Sequence, residues 1–257
     1  MKYLLIFLII VLPNTHVQSQ ILRKPIPDKL VVLSFDDGPV SHATTVAPLL
    51  KKYGFGATFF VCEFPPNFND NTKYMSWLQM QQLDKMGFEV ANHTHHHVNV
   101  KKMDKKLFIE ELGYIEDTCK ALNMKSPIVS FAYPGYTTDS AAIEVLKEKG
   151  YQFARTGGNR AYDPEKDHPY LIPSFTMTDS NKAEIMGAFQ LARDGKILVI
   201  TIHGVPDIPH PWVTTNPVLF EEYLKYMHDN NYKVIALREL IEYIDVNKAM
   251  SQILPKF

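Results

Sequence analysis

Three short stretches carry residue types able to do chemistry. "FEVANHTHHHVNV" (88–100) sets four histidines among five residues at the end of an apolar run. His93 and His97 stand four apart, a spacing that lets two imidazoles reach one ion from a single turn or tight loop. Two neutral imidazoles and a carboxylate, with water completing the shell, make an open zinc-type site. His95 and His96 are equally able to ligate on spacing alone, and a solvated histidine loop is the plain alternative. "SFDDG" (34–38) ends another apolar run with Asp36 and Asp37 side by side. Neighbours on a strand point to opposite sides, so the two share a task only if the chain turns there. Gly38 and Pro39 suit such a turn, and turn-forming aspartates are the competing reading. "ILVITIH" (197–203) brings His203 out of the most hydrophobic run of the chain, either as a satisfied core residue or as an acid or base.

Together these residues resemble a hydrolytic centre. Water held by a metal needs a base to take its proton, an acid for the leaving group and a donor for the oxyanion. Asp36, His203 and a backbone N–H following "YPG" (133–135) suit the three places.

Positioning them requires a particular kind of scaffold. Eight apolar, β-branched runs read as strands buried on both faces: 30–35, 57–62, 89–94, 128–134, 153–157, 171–177, 197–204 and 233–237. Helical spacing fills the gaps. Phe108, Leu112, Ile115, Cys119 and Leu122 recur at helical intervals behind Asp104 as N-cap. Ser76 with Gln79 has the form of a capping box, and Asp139 and Gly150 bracket a further helix. Alternating strands and helices without a Gly-rich phosphate loop or linker predict one α/β barrel. In such barrels the working residues gather where strands end, and "DDG", "HTHHH", "YPGY", "RT" and "HG" all lie at strand ends.

The chain has 257 residues, 46% of them hydrophobic, enough for one sizeable core. Residues 1–19 read as a cleaved signal peptide, with Lys2, an apolar stretch of eleven residues and small residues before Gln20. That stretch falls short of the roughly 20 residues a membrane span needs. A secreted or periplasmic protein is expected, without a stable span after cleavage, and 20–257 as its catalytic domain. Removing Lys2 takes the net charge from −1 to −2. With no basic stripe, nucleic acid is not expected as a partner. Cys62 and Cys119 suit either a disulfide or two buried thiols.

"SFDDG", "HTHHH" read as H-T-x-x-H, and "ITIH" (200–203) resemble the motifs of the polysaccharide deacetylase family, carbohydrate esterase family 4 with its NodB-homology domain. The likeness spans roughly residues 30–240. It implies an α/β fold, a deformed (β/α)7–8 barrel in a single domain, and metal-dependent removal of acetyl groups from an amino-sugar polymer or oligomer: chitin-like, peptidoglycan or exopolysaccharide. It implies Asp37, His93 and His97 as ligands of one divalent ion, usually Zn2+. Asp36 would be the base, His203 the acid, and Gly135 the oxyanion donor.

Two departures stand out. Many members carry F-R-x-P-Y-G where this chain has "FAYPGY" (131–136), so Ala132 replaces the arginine that orients the base. Arg155, near the end of the next strand, is the candidate substitute, against a surface arginine in a loop. The family's Asp–Trp element is not legible; Asp163, Asp167 and Asp179 are each conceivable. The Pro-rich "HGVPDIPHPWVTTNP" (203–217) reads as a stiff loop beside the site. Tyr133, Tyr136 and Trp212 are the residues expected to meet the sugar. Two other activities fit the same residues: an O-acetyl esterase of the xylan type, and a metal-bearing carbohydrate-binding protein without turnover.

Overall fold

The computed structural model describes residues 20–257. The signal-peptide reading of 1–19 lies outside them. No helix among the described residues is long and apolar enough to cross a membrane.

Eight strands form one parallel sheet: β1 (Leu30–Phe35), β2 (Thr58–Val61), β3 (Glu89–Asn92), β4 (Ser130–Ala132), β5 (Phe153–Arg155), β6 (Phe175–Met177), β7 (Leu198–Ile202) and β8 (Lys233–Ile235). Each lies inside one of the eight runs read from sequence. Their order is β5-β4-β3-β2-β1-β7-β6, with β8 also paired to β1. A parallel bridge between Arg155 and Ile172 joins β5 to the segment leading into β6, so the sheet curls into a deformed barrel. At its base β8 pairs with Leu30–Val32, whereas β2 meets β1 only at Ser34 and Phe35. Gly56 N–H donates to the Val234 carbonyl at 3.1 Å, which wedges β8 between the feet of β1 and β2.

Among the described residues seven α-helices alternate with the strands, except between β5 and β6: α1 (Ala47–Tyr53), α2 (Trp77–Lys85), α3 (Lys105–Ala121), α4 (Ser140–Glu148), α5 (Lys182–Phe189), α6 (Pro217–Asp229) and α7 (Val246–Gln252). The caps follow the sequence. Ser76 and Gln79 form the capping box of α2, and Asp104 and Asp139 accept the Leu107 and Ala141 N–H groups.

Period-two alternation divides the strand side chains between two layers. Val31, Leu33, Phe35, Phe59, Val61 and Val90 pack outward beneath the helices. Leu30, Val32, Phe60, Ala91, Ala132, Phe153 and Val199 fill the lumen, plugged from below by Leu237, Leu240, Ile244 and Ala249. Both thiols, Cys62 and Cys119, are free and buried.

Candidate active site

Continuing the lumen phase of each strand by two residues reaches the chemistry. Beyond Ala91 comes His93, beyond Phe153 comes Arg155, and Val199 leads through Thr201 to His203. On β1 the series Leu30, Val32, Ser34 ends at Asp36, whose N–H donates to the Ile202 carbonyl at 2.9 Å. Asp37 would point outward on a regular strand. Its φ of 69° breaks the strand and turns its side chain back among the others. Thr94 and His97, at φ 65° and 55°, do the same for the histidine loop, and the Thr94 hydroxyl accepts the Val98 N–H.

Asp37 is the centre of the arrangement. Its Oδ1 lies 3.4 Å from His93 Nε2 and 3.3 Å from His97 Nε2. Its Oδ2 lies 3.9 Å from both His203 Nε2 and His210 Nδ1. Burial alone would raise the Asp37 carboxyl, but the His93 contact and the fields of His97, His203 and His93 outweigh it and hold the group far below the usual carboxylate range. Desolvation pushes His97 down to about 4, keeping its imidazole neutral as a ligand must be. Burial would lower His93 too, yet Asp36 and Asp37 beside it win and raise it. Its Nδ1 faces the Ala132 carbonyl at 2.8 Å, which leaves Nε2 directed at the carboxylates.

A cation fits this place. Asp37 Oδ1 is buried and has no hydrogen-bond partner among the described residues. The ligand atoms of Asp37, His93 and His97 lie within 4.8 Å of one another. His95 and His96 turn the other way: His95 stacks on Tyr114 and meets Glu63 at 3.1 Å, and His96 pairs with Glu111 at 2.8 Å. They anchor the loop to α3, with their ligand atoms grouped on Glu111 rather than on Asp37.

Arg155 reaches Asp36. Its Nη2 bridges both Asp36 oxygens at 2.6 Å each, fully buried, with the rings of Phe60 and Tyr136 at 5.3 and 5.4 Å on the guanidinium. Ala132 and Arg155 are direct partners in the β4–β5 register, so the small residue on one strand makes room for the long one on the next.

The remaining expectations fare unevenly. Gly135 lies at the turn after β4 with φ 62°, and the Tyr136 N–H is bonded to the Tyr133 carbonyl. Tyr136 is half-buried, its hydroxyl 2.8 Å from Thr176 Oγ1, and it clamps Arg155. Trp212 is 74% exposed at the rim, its ring 5.6 Å from His210, free to meet a ligand. Tyr133 is a correction. It still obeys the strand alternation, so it follows Phe131 into the helix layer and is fully buried there, away from any substrate. None of Asp163, Asp167 and Asp179 supports His203: the first two pair with Lys166 and Arg160, and Asp179 accepts the Asn216 N–H. His203 Nδ1 is buried without a partner among the described residues.

Residues not singled out from sequence complete the site. His42 donates from Nε2 to the His203 carbonyl at 2.9 Å. Glu63, beside His95, and Phe64, against His97, follow β2, a strand end from which no chemistry was read. Asp207 folds the Pro-rich loop by accepting the Gly204 and His210 N–H groups, each at 2.8 Å. A side chain at Gly204 would collide with the Asp207 backbone.

Comparison with known proteins bears on this geometry. The family model for polysaccharide deacetylase matches residues 23–154, a stretch that holds Asp36, Asp37, His93 and His97 and stops one residue before Arg155. A bifunctional xylanase/deacetylase of Pseudobutyrivibrio xylanivorans is 34% identical over 108 residues, 42% of this chain and 17% of that protein. A poly-beta-1,6-N-acetyl-D-glucosamine N-deacetylase of Staphylococcus aureus is 27% identical over 164 residues, 60% of this chain. The matched stretch is 56% of that protein, so the chain spans about half the length of this curated relative. Among solved structures, Bacillus subtilis PdaA, a family 4 carbohydrate esterase, superimposes with TM-score 0.60 at 17% identity, covering 83% of this chain and 81% of that one. The Xyl-CE4 domain of a xylanase from the Trinervitermes trinervoides hindgut metagenome gives 0.59 at 22%, covering 84% and 91%. These two likenesses speak to the fold.

Proposed function

Because the chain belongs to the polysaccharide deacetylase family, we propose that it is a metal-dependent hydrolase removing N-acetyl groups from an amino-sugar polymer or oligomer. The observation that carries this reading is the convergence on one carboxylate: Asp37 Oδ1 open toward His93 and His97, with Asp36 alongside and held by Arg155. Asp37, His93 and His97 would hold the ion. The chemistry that a bound divalent ion supplies is acidified water and a polarised acetyl carbonyl. Zinc suits two imidazoles and one carboxylate.

The chain's own groups supply the rest. Asp36 accepts the proton of the attacking water, and Arg155 keeps its carboxylate aimed. His203, on the opposite side of Asp37, carries a proton to the departing nitrogen. The Gly135 N–H would steady the developing oxyanion, and Trp212 would offer a flat apolar face to a sugar ring. Export through residues 1–19 would bring the enzyme to a polymer outside the cytoplasm.

A second reading, removal of O-acetyl groups from a xylan, is favoured by the relative named a bifunctional xylanase/deacetylase. An alkoxide leaves more readily than an amine, so an esterase would survive loss of His203 better. The third reading, binding without turnover, rests on Ala132 and on the illegible Asp–Trp element. Arg155 in contact with Asp36 answers the first; the second stands, since His203 Nδ1 has no partner among the described residues.

Acetate release from N-acetylglucosamine oligomers, peptidoglycan and acetylated xylan, by metal-stripped and zinc-restored protein, tests the proposal. Zinc-dependent release from an N-acetylated substrate is expected. Release from xylan alone, persisting in His203→Ala, would establish the esterase; no release with zinc bound would leave the binding protein.

A further inference from the structure

The two oxygens of Asp37 have different surroundings. Oδ1 faces His93 and His97, the proposed ion ligands. Oδ2 faces two more imidazoles at equal distance, His203 Nε2 and His210 Nδ1, both at 3.9 Å. The two differ in how they are held. His203 has no partner at Nδ1 among the described residues. His210 is buried and is held at Nε2, 3.1 Å from the Tyr74 hydroxyl. Its Nδ1 has Asp207 Oδ1 beside it at 3.3 Å as a charge partner, though like His203 Nδ1 it makes no hydrogen bond among the described residues. Its ring also packs on Phe64 at 4.5 Å, and Phe64 packs on the ligand His97 at 4.8 Å.

The protonation pattern follows from the partners. Two carboxylates, Asp207 and Asp37, face Nδ1, so this nitrogen carries the hydrogen. Nε2 then accepts from the Tyr74 O–H. A neutral imidazole is enough, and its N–H dipole is aimed into the space beside Oδ2. At 3.9 Å this is an oriented dipole rather than a hydrogen bond, acting across a buried interior where fields are poorly screened.

We propose that His210 is a positioning residue for the carboxylate ligand: held by Tyr74 and Asp207, it fixes the face that Asp37 Oδ2 presents and so the way Oδ1 meets the ion. The inference rests on the metal-site reading above. A fixed imidazole thus orients the ligand on one side of Oδ2, and a free one, His203, is left for chemistry on the other. The Pro-rich loop serves the site through Asp207 and His210, with Trp212 two residues further on at the rim.

Zinc dissociation constants from chelator competition, measured on the whole protein, test this. Groups that orient a ligand typically contribute about 10–100-fold to metal affinity. His210→Ala should weaken zinc binding within that range. His210→Asn, whose amide N–H takes the Nδ1 place, should recover part of the loss. Tyr74→Phe, which frees the tautomer but keeps the packing, should shift affinity in the same direction by less. Ile208→Ala, on the exposed outside of the same loop, should leave zinc affinity unchanged. If His210→Ala lost folding, Asn and Phe at the two positions would carry the test. Wild-type zinc affinity in the folded His210 and Tyr74 variants would overturn the inference, as would a fall in kcat alone, which would put His210 on the substrate. A wild-type protein that holds no zinc would instead overturn the metal reading itself.

Discussion

At the scale of residues, the site is organised by charges that cannot be left alone in a barrel lumen. Asp36 is 2% exposed and Arg155 fully buried, and each is tolerable only because of the other. Arg155→Ala should therefore destabilise the metal-free protein by roughly 3–5 kcal/mol, the general scale for stripping one partner from a buried pair. It should also slow acetate release with zinc content unchanged; denaturant titration and metal analysis read the two effects separately. Asp36→Asn should retain zinc and lose about 10²–10⁴-fold in rate, the usual worth of an acid–base group. His42 gives the protein a pH dependence of its own. Burial depresses its imidazole to about 4 against an ordinary 6.5, despite the His203 carbonyl and nearby carboxylates. Between those values the unfolded chain binds the proton and the folded one refuses it, so stability is whole above about pH 6.5 and declines as pH falls toward 4. Urea midpoints across that window should show the decline, and His42→Gln, keeping a donor toward the carbonyl, should make it shallower.

At the scale of elements, what was legible in the sequence was periodicity. Runs of β-branched residues placed all eight strands, and polar breaks at their ends marked Asp36, Asp37, the histidine cluster and His203; His93 and His97 were singled out from that cluster only by the family resemblance. Arg155 was reachable because a strand neighbours the one carrying Ala132, though the direct pairing of the two appears only in the register. Tyr133 was misjudged because it was read as the functional end of the 128–134 run, whereas the strand's alternation persists past Ala132 and turns that ring outward with Phe131. Asp207, three residues before His210 in one loop, was local and was passed over. Tyr74 was illegible for a different reason: it meets His210 only when two separate loops fold together, and no local pattern encodes that. Caps, by contrast, are local and were readable. Asp104→Ala should cost about 1 kcal/mol of stability through the Leu107 N–H. It should leave acetate release untouched, since α3 meets the histidine loop through Glu111, about two turns in from the cap.

At the scale of the whole molecule, the proposed ion site ties two distant parts of the chain, β1 and the loop after β3, so occupancy should report on global stability. With free zinc at about 100 times its dissociation constant, the gain should be about 2.7 kcal/mol. Thermal unfolding with and without zinc measures it, and His97→Ala should abolish the difference. Strand β8 carries a consequence of another kind, in time rather than in energy. It is the last strand of the sheet to be synthesised, yet the groove it fills lies beside the first, at Leu30–Val32. On the ribosome, a nascent chain that has completed β7 still has the foot of β1 unpaired on that side, an open apolar edge of the kind that recruits other chains. The barrel thus waits for Lys233–Ile235 before its base can close, and during that interval it depends on whatever in the cell shields an unfinished sheet.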